Sequence, residues 1–312
     1  MQFNSSILNY VATVAEERSI SNAAKKLYIS QPSLSQSIIA LEKSLGVALF
    51  DRSIVPLGLT DAGKVFVDAA NRVLNIEREM IEQINDISHN GSSNIVVGIS
   101  SFRNSTIMPR VIPSFRELYP TVHITLIEET NEPVMEMLTS GKIDMAFVTN
   151  SDSKDLTYIK LFSDRAVLVL GKKHELCGNY AVTDGDYPII DMGKLKKDAF
   201  TLLNPRSNMR SIANQIFADN NFRPQSIITT SNMEMAHRMA VSNISAAIVQ
   251  ESLLPLYAAE QRGCYFRFPK KDYNTDLFIC YRKNFKITRS MLYFIEVSRK
   301  ILSNVTRQDD EP

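Results

Sequence analysis

Side chains able to do chemistry gather in a few short stretches of the 312-residue chain. Ser30-Gln31-Pro32-Ser33, with Ser35 and Gln36, is a run of small hydrogen-bonding groups at the front of a helical pattern. Ser100-Ser101-Phe102-Arg103-Asn104-Ser105 follows one apolar run and Asn204-Pro205-Arg206-Ser207 follows another, and each leads into a helical pattern. Helix N-termini bind anions through unpaired N–H groups and the helix dipole, and Arg103, Arg206 and Arg210 would suit a carboxylate or phosphate bidentately. Thr130 and Thr149 end two further apolar runs, so these groups fall at carboxyl ends of strands, where open α/β sheets take ligands.

Catalytic and metal chemistry find no comparable support. The four His, at 89, 123, 174 and 237, are scattered, and there is no H-E-x-x-H, G-x-S-x-G, P-loop or Rossmann glycine run. The three Cys, at 177, 264 and 280, are spaced by 87 and 16, which matches neither a disulfide framework nor a zinc or C-x-x-C pattern. The expectation is no enzyme activity, no cofactor and no metal, with the thiols buried or incidental.

The elements that must position these groups start with three short helical patterns in residues 1–45. Ile7, Leu8, Val11, Val14 and Ala15 mark the first. The second is expected from Ser21, as N-cap, through Ala23, Ala24 and Leu27, with a turn at Tyr28-Ile29. Ser30 can cap the third, with Pro32 in its first turn, and Leu34, Ile38, Leu41 and Leu45 form its inward stripe. That leaves Pro32, Gln36, Ile39 and Lys43 on the outer face. Gly46 ends the helix, and residues 49–59 read as a hairpin or wing. Thr60 then caps a helix of about 28 residues in which Phe66, Ala69, Val73, Ile76, Met80, Ile84 and Ile87 form a near-heptad seam that needs a partner.

After the polar break His89-Asn90-Gly91-Ser92-Ser93 the pattern alternates. Strands at 95–99, 122–127 and 143–148 with helices at 106–118 and 133–140 give βαβαβ, hence a parallel sheet with helices on both faces. A second set begins with a strand at 166–170. It continues with strands at 200–203, 226–230 and 246–249 and helices at 207–219 and 232–241, the latter opened by a Ser231/Glu234 capping box. A strand at 276–282 and a helix at 288–302 close the chain.

Helix-turn-helix at 21–45 is the arrangement whose second helix enters the major groove. Ser21-Asn22-Ala23-Ala24, Ile29-Ser30-Gln31-Pro32-Ser33-Leu34-Ser35, Leu41-Glu42, Leu45-Gly46, Leu49-Phe50 with Arg52, and Leu59-Thr60-Asp61-Ala62-Gly63 resemble the N-terminal region of LysR-type transcriptional regulators. The likeness continues in Met108-Pro109, Tyr119-Pro120, Gly141-Lys142-Ile143-Asp144 and Asn204-Pro205, over nearly the whole chain. The resemblance implies an α/β architecture with an N-terminal winged helix-turn-helix (1–60) and a linker and dimerisation helix (61–90). An effector domain like periplasmic binding proteins follows at 91–304, with lobe I at 91–163 and 269–304, lobe II at 164–268, and a tail at 305–312.

It further implies a sequence-specific regulator of double-stranded promoter DNA, acting as a homodimer or homotetramer, in contact with RNA polymerase and controlled by a small effector, expected to be anionic. Ser30, Gln31, Pro32, Ser33, Ser35 and Gln36 would lie at or near the base edges, where Gln can pair with adenine N6 and N7, and Arg52 near the wing would hold phosphate. Ser100, Ser101, Thr149, Pro205 and Arg206 would sit in the inter-lobe cleft, with Thr130 and Ser231 beside them. Peroxide sensing, known for some relatives, would need a Cys pair in the second lobe, and the distance between Cys177 and Cys264 in the sequence suggests none. An enzyme or transport-like use of the two lobes is the alternative, and deletion of 21–60 separates the two readings.

Composition is consistent with local DNA contact only. Lys+Arg number 35 and Asp+Glu 34, a formal net charge of +1, so there is no polybasic coat. Residues 1–60 hold five basic groups (Arg18, Lys25, Lys26, Lys43, Arg52) against four acidic ones (Glu16, Glu17, Glu42, Asp51). Few phosphate contacts mean modest affinity per head and reliance on avidity. No uncharged run approaches the ~20 residues of a membrane span, and a reducing cytoplasm is the expected setting.

Overall fold

In the computed structural model, described for residues 4–87, 94–149, 152–178, 187–258, 261–283 and 285–303, local sequence signals explain most element starts. The break expected at 89–93 and the tail at 305–312 lie outside the described residues. Three helices open the chain: α1 (Ser5–Glu17), α2 (Ile20–Lys26) and α3 (Gln31–Leu45). Asn4 caps α1, and Ser30 caps α3 by accepting from Ser33 N at 3.3 Å. The second helix starts earlier than its sequence suggested. Ser19, not Ser21, is the cap, accepting from Asn22 N, because Ser21 already lies within the first turn.

α3 stops at Gly46, whose φ of +73° is the left-handed conformation that a residue without Cβ adopts freely. The antiparallel strands β1 (Phe50–Asp51) and β2 (Gly58–Leu59) make the wing. Thr60 Oγ1 then caps α4 (Asp61–Ile87), accepting from Gly63 N at 3.0 Å. Gly63 is required there, since a Cβ would stand 2.0 Å from the Leu49 carbonyl oxygen. Val11, Val14, Ala23, Ala24, Leu34, Ile38 and Leu49 form the core of this unit, with Phe66 and Val67 of α4 packed on it. Farther along α4, Val73, Ile76, Met80 and Ile84 are exposed, as the heptad seam leads one to expect of an unpaired helix.

The second unit comprises β3 (Asn94–Ile99), α5 (Ser101–Leu118), β4 (His123–Glu128), α6 (Asn131–Thr139), β5 (Met145–Thr149) and β6 (Leu156–Leu170). It continues with β7 (Ala199–Leu203), α7 (Asn208–Asp219), β8 (Ser226–Thr230), α8 (Met233–Val241), β9 (Ala246–Gln250), β10 (Cys264–Phe266), β11 (Asn274–Arg282) and α9 (Arg289–Ser303). One sheet runs in the order β4-β3-β5-β11-β6-β9-β7-β8, with β10 pairing β6. Two hydrophobic cores sit on it, one built from β3, α5, β5, β11 and α9, the other from the far half of β6, β7, α7, α8, β9 and β10.

The βαβαβ run pairs in parallel as expected, β3 with β4 and β5, and β7 likewise pairs in parallel with β8 and β9, while β6, β10 and β11 pair antiparallel. The chain leaves the first lobe along β6 and returns along β11, so these neighbours must run in opposite directions. Three other expectations need correction. The strand placed at 166–170 is the second half of one 15-residue strand that starts at Leu156, because the polar triplet Ser163-Asp164-Arg165 is extended rather than turned.

The helix placed at 106–118 begins at Ser101. The Ser100 carbonyl accepts from Asn104 N at 2.7 Å, and the hydroxyls of Ser105 and Thr106 turn back to the Phe102 carbonyl, so a Ser/Asn-rich stretch forms a first helical turn instead of a loop. The Ser231/Glu234 capping box does not form. Asn232 caps α8 through Met235 N at 3.0 Å, and Glu234 pairs with Arg238 instead.

Candidate functional site

On the head, α3 presents what a groove-reading helix needs. Leu34 and Ile38 are fully buried, which at about 1.5–3 kcal/mol per side chain pins one face to the core. Ser30, Gln31, Pro32, Ser33 and Gln36 are exposed on the other side, and Ser35 is half-buried. Arg52 is less free than its sequence position implied. Its Nη2 lies 3.1 Å from Glu42 Oε2, while Glu42 Oε1 accepts from the backbone N–H groups of Leu49 at 2.8 Å and Phe50 at 3.1 Å. The guanidinium therefore braces the wing against α3. Lys26 is likewise held, by Glu16 and Glu17, both at 2.9 Å.

In the second unit the topology gathers the expected residues into two rows. β4, β3 and β5 are neighbours with parallel register, so Thr130, Ser100-Ser101 and Thr149 stand side by side at one set of carboxyl ends. β8, β7 and β9 do the same for Ser231, Asn204-Pro205-Arg206 and Gln250. Ser100 opens α5 without a side-chain capping bond. The backbone of Thr149 is clamped by the carboxamide of Asn131, which donates to its carbonyl at 2.9 Å and accepts from its N–H at 3.1 Å. Pro205 and Arg206 are exposed, and Ser207 caps α7. Arg210, expected as an anion ligand, is spent on the Leu203 carbonyl and Asn214.

Arg103, expected to suit a carboxylate or phosphate, is held by side chains of the protein itself. It is 2% exposed, and its Nη1 lies 2.7 Å from Asp164 Oδ2 in mid-β6 and 3.0 Å from Ser252 Oγ, just beyond β9. Asp164 also accepts from Ser252 N at 3.0 Å and Ser252 Oγ at 2.6 Å. Phe102 and Phe162 flank the guanidinium at 5.0 and 5.3 Å. One residue along β6, Arg165 grips Glu251 with two bonds of 2.8 Å. Ser101 is also engaged: with Asn104 it holds the carboxylate of Glu128, and these hydrogen bonds keep that group below the usual carboxylate range.

Residues 6–64 match the family described as bacterial regulatory helix-turn-helix protein, lysR family, and residues 89–302 match the LysR substrate binding domain. The chain belongs to the LysR family of transcriptional regulators. A probable RuBisCO transcriptional regulator of Trieres chinensis is 29% identical over 259 residues, covering 79% of this chain and 80% of that one. Among solved structures, a full-length OxyR variant from Pseudomonas aeruginosa aligns with a TM-score of 0.71 at 20% identity, covering 97% of this chain and 95% of that one. Full-length CbnR complexed with its target DNA aligns with a TM-score of 0.65 at 20% identity, covering 96% and 99%. At such identities these two structures attest the fold.

Within this LysR fold, residues that sequence reasoning missed are those with distant partners: Asp164, Ser252, Glu128, Asn131 and Gln250. A polar triplet inside the apolar run of β6 was the available signal for Asp164. Two thiols whose separation in the sequence suggested no pair are neighbours. Cys264 is opposite Leu170 in the β6–β10 ladder, and the Cys177 thiol lies 3.2 Å from the carbonyl of the next residue, Gly171. Burial, with the Cys264 thiol adjacent, pushes the Cys177 thiol up, so it is a poor nucleophile in this state. No described helix is long and apolar enough to cross a membrane.

Proposed function

We propose that this LysR-type regulator reads promoter DNA with the front of α3 as a homodimer or homotetramer. A small effector with an anionic group, bound between the two rows of strand ends, biases how the heads are held. The carrying observation is the division of α3 into a locked apolar face and an exposed Ser-Gln-Pro-Ser front whose Ser30 caps the helix. Val73, Ile76, Met80 and Ile84 supply the seam for pairing two chains, and avidity offsets the shortage of free cations in each head. Ser100, Ser101, Thr130 and Thr149 on one row, and Pro205, Arg206 and Ser231 on the other, are the proposed effector contacts, and RNA polymerase is the proposed downstream partner.

Footprinting on the DNA flanking its own gene tests the reading. A dyad-symmetric protected region is expected, lost in Gln31→Ala/Gln36→Ala and weakened in Ile76→Lys as the chain becomes monomeric. Equal affinity for that DNA and a scrambled duplex would refute it.

A further inference from the structure

The turn between α2 and α3 carries one side chain from which the fold gains nothing. The end of α2 closes on its own backbone: Leu27 N donates to the Ala23 carbonyl at 2.9 Å, Ile29 N to that of Ala24 at 3.0 Å and Tyr28 N to that of Lys25 at 3.2 Å. Such a closure needs a left-handed residue after the cap, a place that glycine fills most easily, and Tyr28 fills it with a φ of +55°. Leu27 and Ile29 on either side pack on the core of the head, so Tyr28 is turned outward. Its side chain is 95% exposed, and its hydroxyl has no partner among the described residues. A bulky residue in this backbone conformation costs stability, and no buried contact of the ring offsets that cost.

Position and chemistry identify what meets the ring. Two residues on, at most about 7 Å along the chain, is Ser30, the cap of α3, and Ser30 and Gln31 are exposed as well. A helix-turn-helix enters the major groove with the front of its second helix while its first helix crosses the DNA backbone, so the turn joining the two stands at the sugar-phosphate edge. A phenol is an uncharged donor that suits a phosphate oxygen, and tyrosine is among the residues that make such backbone contacts. Charge supply points the same way: Lys26 is held by Glu16 and Glu17, and Arg52 by Glu42, so a neutral donor here adds to a head with few free cations.

Resting on the reading of α3 above, we propose that Tyr28 is a DNA-contacting residue whose hydroxyl donates to a backbone phosphate oxygen at the edge of the groove that α3 enters. The contact sets the register of α3 on the duplex and carries no sequence information of its own. Because the phenol is neutral it displaces no counterion, so it adds affinity without steepening the salt dependence. Stability and DNA binding then pull in opposite directions at this one position.

Fluorescence anisotropy of the full chain on the DNA flanking its own gene, over a salt series, tests the assignment. Tyr28→Phe removes only the hydroxyl and should weaken binding by about tenfold, by a similar factor on promoter variants with single base changes, and with the log–log salt slope unchanged. Lys25→Ala, by contrast, should flatten that slope. Tyr28→Gly should bind no better than Tyr28→Phe yet melt at or above the wild-type temperature, because the left-handed turn suits glycine. Replacing single phosphates by neutral methylphosphonates should reveal a position that weakens the wild type but not Tyr28→Phe. Wild-type affinity in Tyr28→Phe, a loss confined to certain base sequences, a flattened salt slope, or a lowered melting temperature in Tyr28→Gly overturns the assignment. If Tyr28→Phe binds like the wild type while Gln31→Ala/Gln36→Ala loses its promoter preference, the reading of α3 stands and the Tyr28 contact falls. Equal affinity of the wild type for promoter and scrambled duplex removes the reading of α3 and the contact with it.

Discussion

His237 makes the stability of the second lobe depend on pH in a calculable way. Its ring is fully buried, stacked on Tyr257 with centroids 4.1 Å apart and planes 5° from parallel, with Nε2 3.1 Å from Tyr265 Oη. Burial, with a smaller push from Arg238 and an opposing pull from Glu234, lowers its pKa from 6.5 to about 4. Below pH 6.5 the unfolded chain takes up a proton that the folded chain refuses. The stabilisation is therefore complete above 6.5 and is lost as pH falls toward 4. The gap corresponds to roughly 3 kcal/mol, of which about 2 kcal/mol is gone by about pH 5. His237→Phe keeps the stack and cannot charge. In urea titrations followed by circular dichroism at about pH 7.5 and about pH 5, wild type should lose about 2 kcal/mol more than the variant. Parallel losses in the two proteins would refute the reasoning, since every other titrating group is common to both.

The wing brace makes a second test. Glu42→Ala strands the N–H groups of buried Leu49 and Phe50 and should cost about 2–4 kcal/mol, whereas Arg52→Ala leaves those bonds intact and should cost under about 1 kcal/mol. Thermal unfolding of the full chain decides it, and equal losses would mean that the ion pair, not the backbone bonds, matters. For DNA binding, Lys25 and Lys43 are exposed without an ion-pair partner among the described residues, while Glu16 and Glu17 hold Lys26. Lys25→Ala or Lys43→Ala should flatten the log–log salt dependence of promoter affinity by about 0.9 for each phosphate that is no longer neutralised. Lys26→Ala should flatten it less, and an equal effect in a fluorescence-anisotropy salt series would contradict the assignment of free charge.

What could be read from residue order alone is what short-range physics governs. The cap at Ser30, the stripe Leu34–Ile38–Leu41, the stop at Gly46, the wing and the Thr60 cap each depend on residues within a turn or a hairpin, so spacing reveals them. The exposed front of α3 was legible for the same reason, and so were the strand ends that carry Ser100, Thr149 and Asn204. Local preference misled at the Ser/Asn-rich start of α5, where hydroxyls turn back to the helix's own backbone, and at the polar triplet of β6, where long-range partners outweighed it: Asp164 is answered by Arg103 and Ser252, groups that no local pattern connects to it.

Tertiary structure alone decided which charges are available. Arg103 and Ser252 are 149 positions apart, and the Arg52 guanidinium, expected to hold phosphate, pairs with Glu42, ten positions away. A buried ion pair leaves no periodic trace in the sequence, because its members are brought together by chain crossings and not by the repeat of a helix or strand. The order of residues therefore specified α3, its exposed front and its supports. The folded chain specified which groups of the second unit are spent on each other, Arg103 on Asp164 and Ser252 among them.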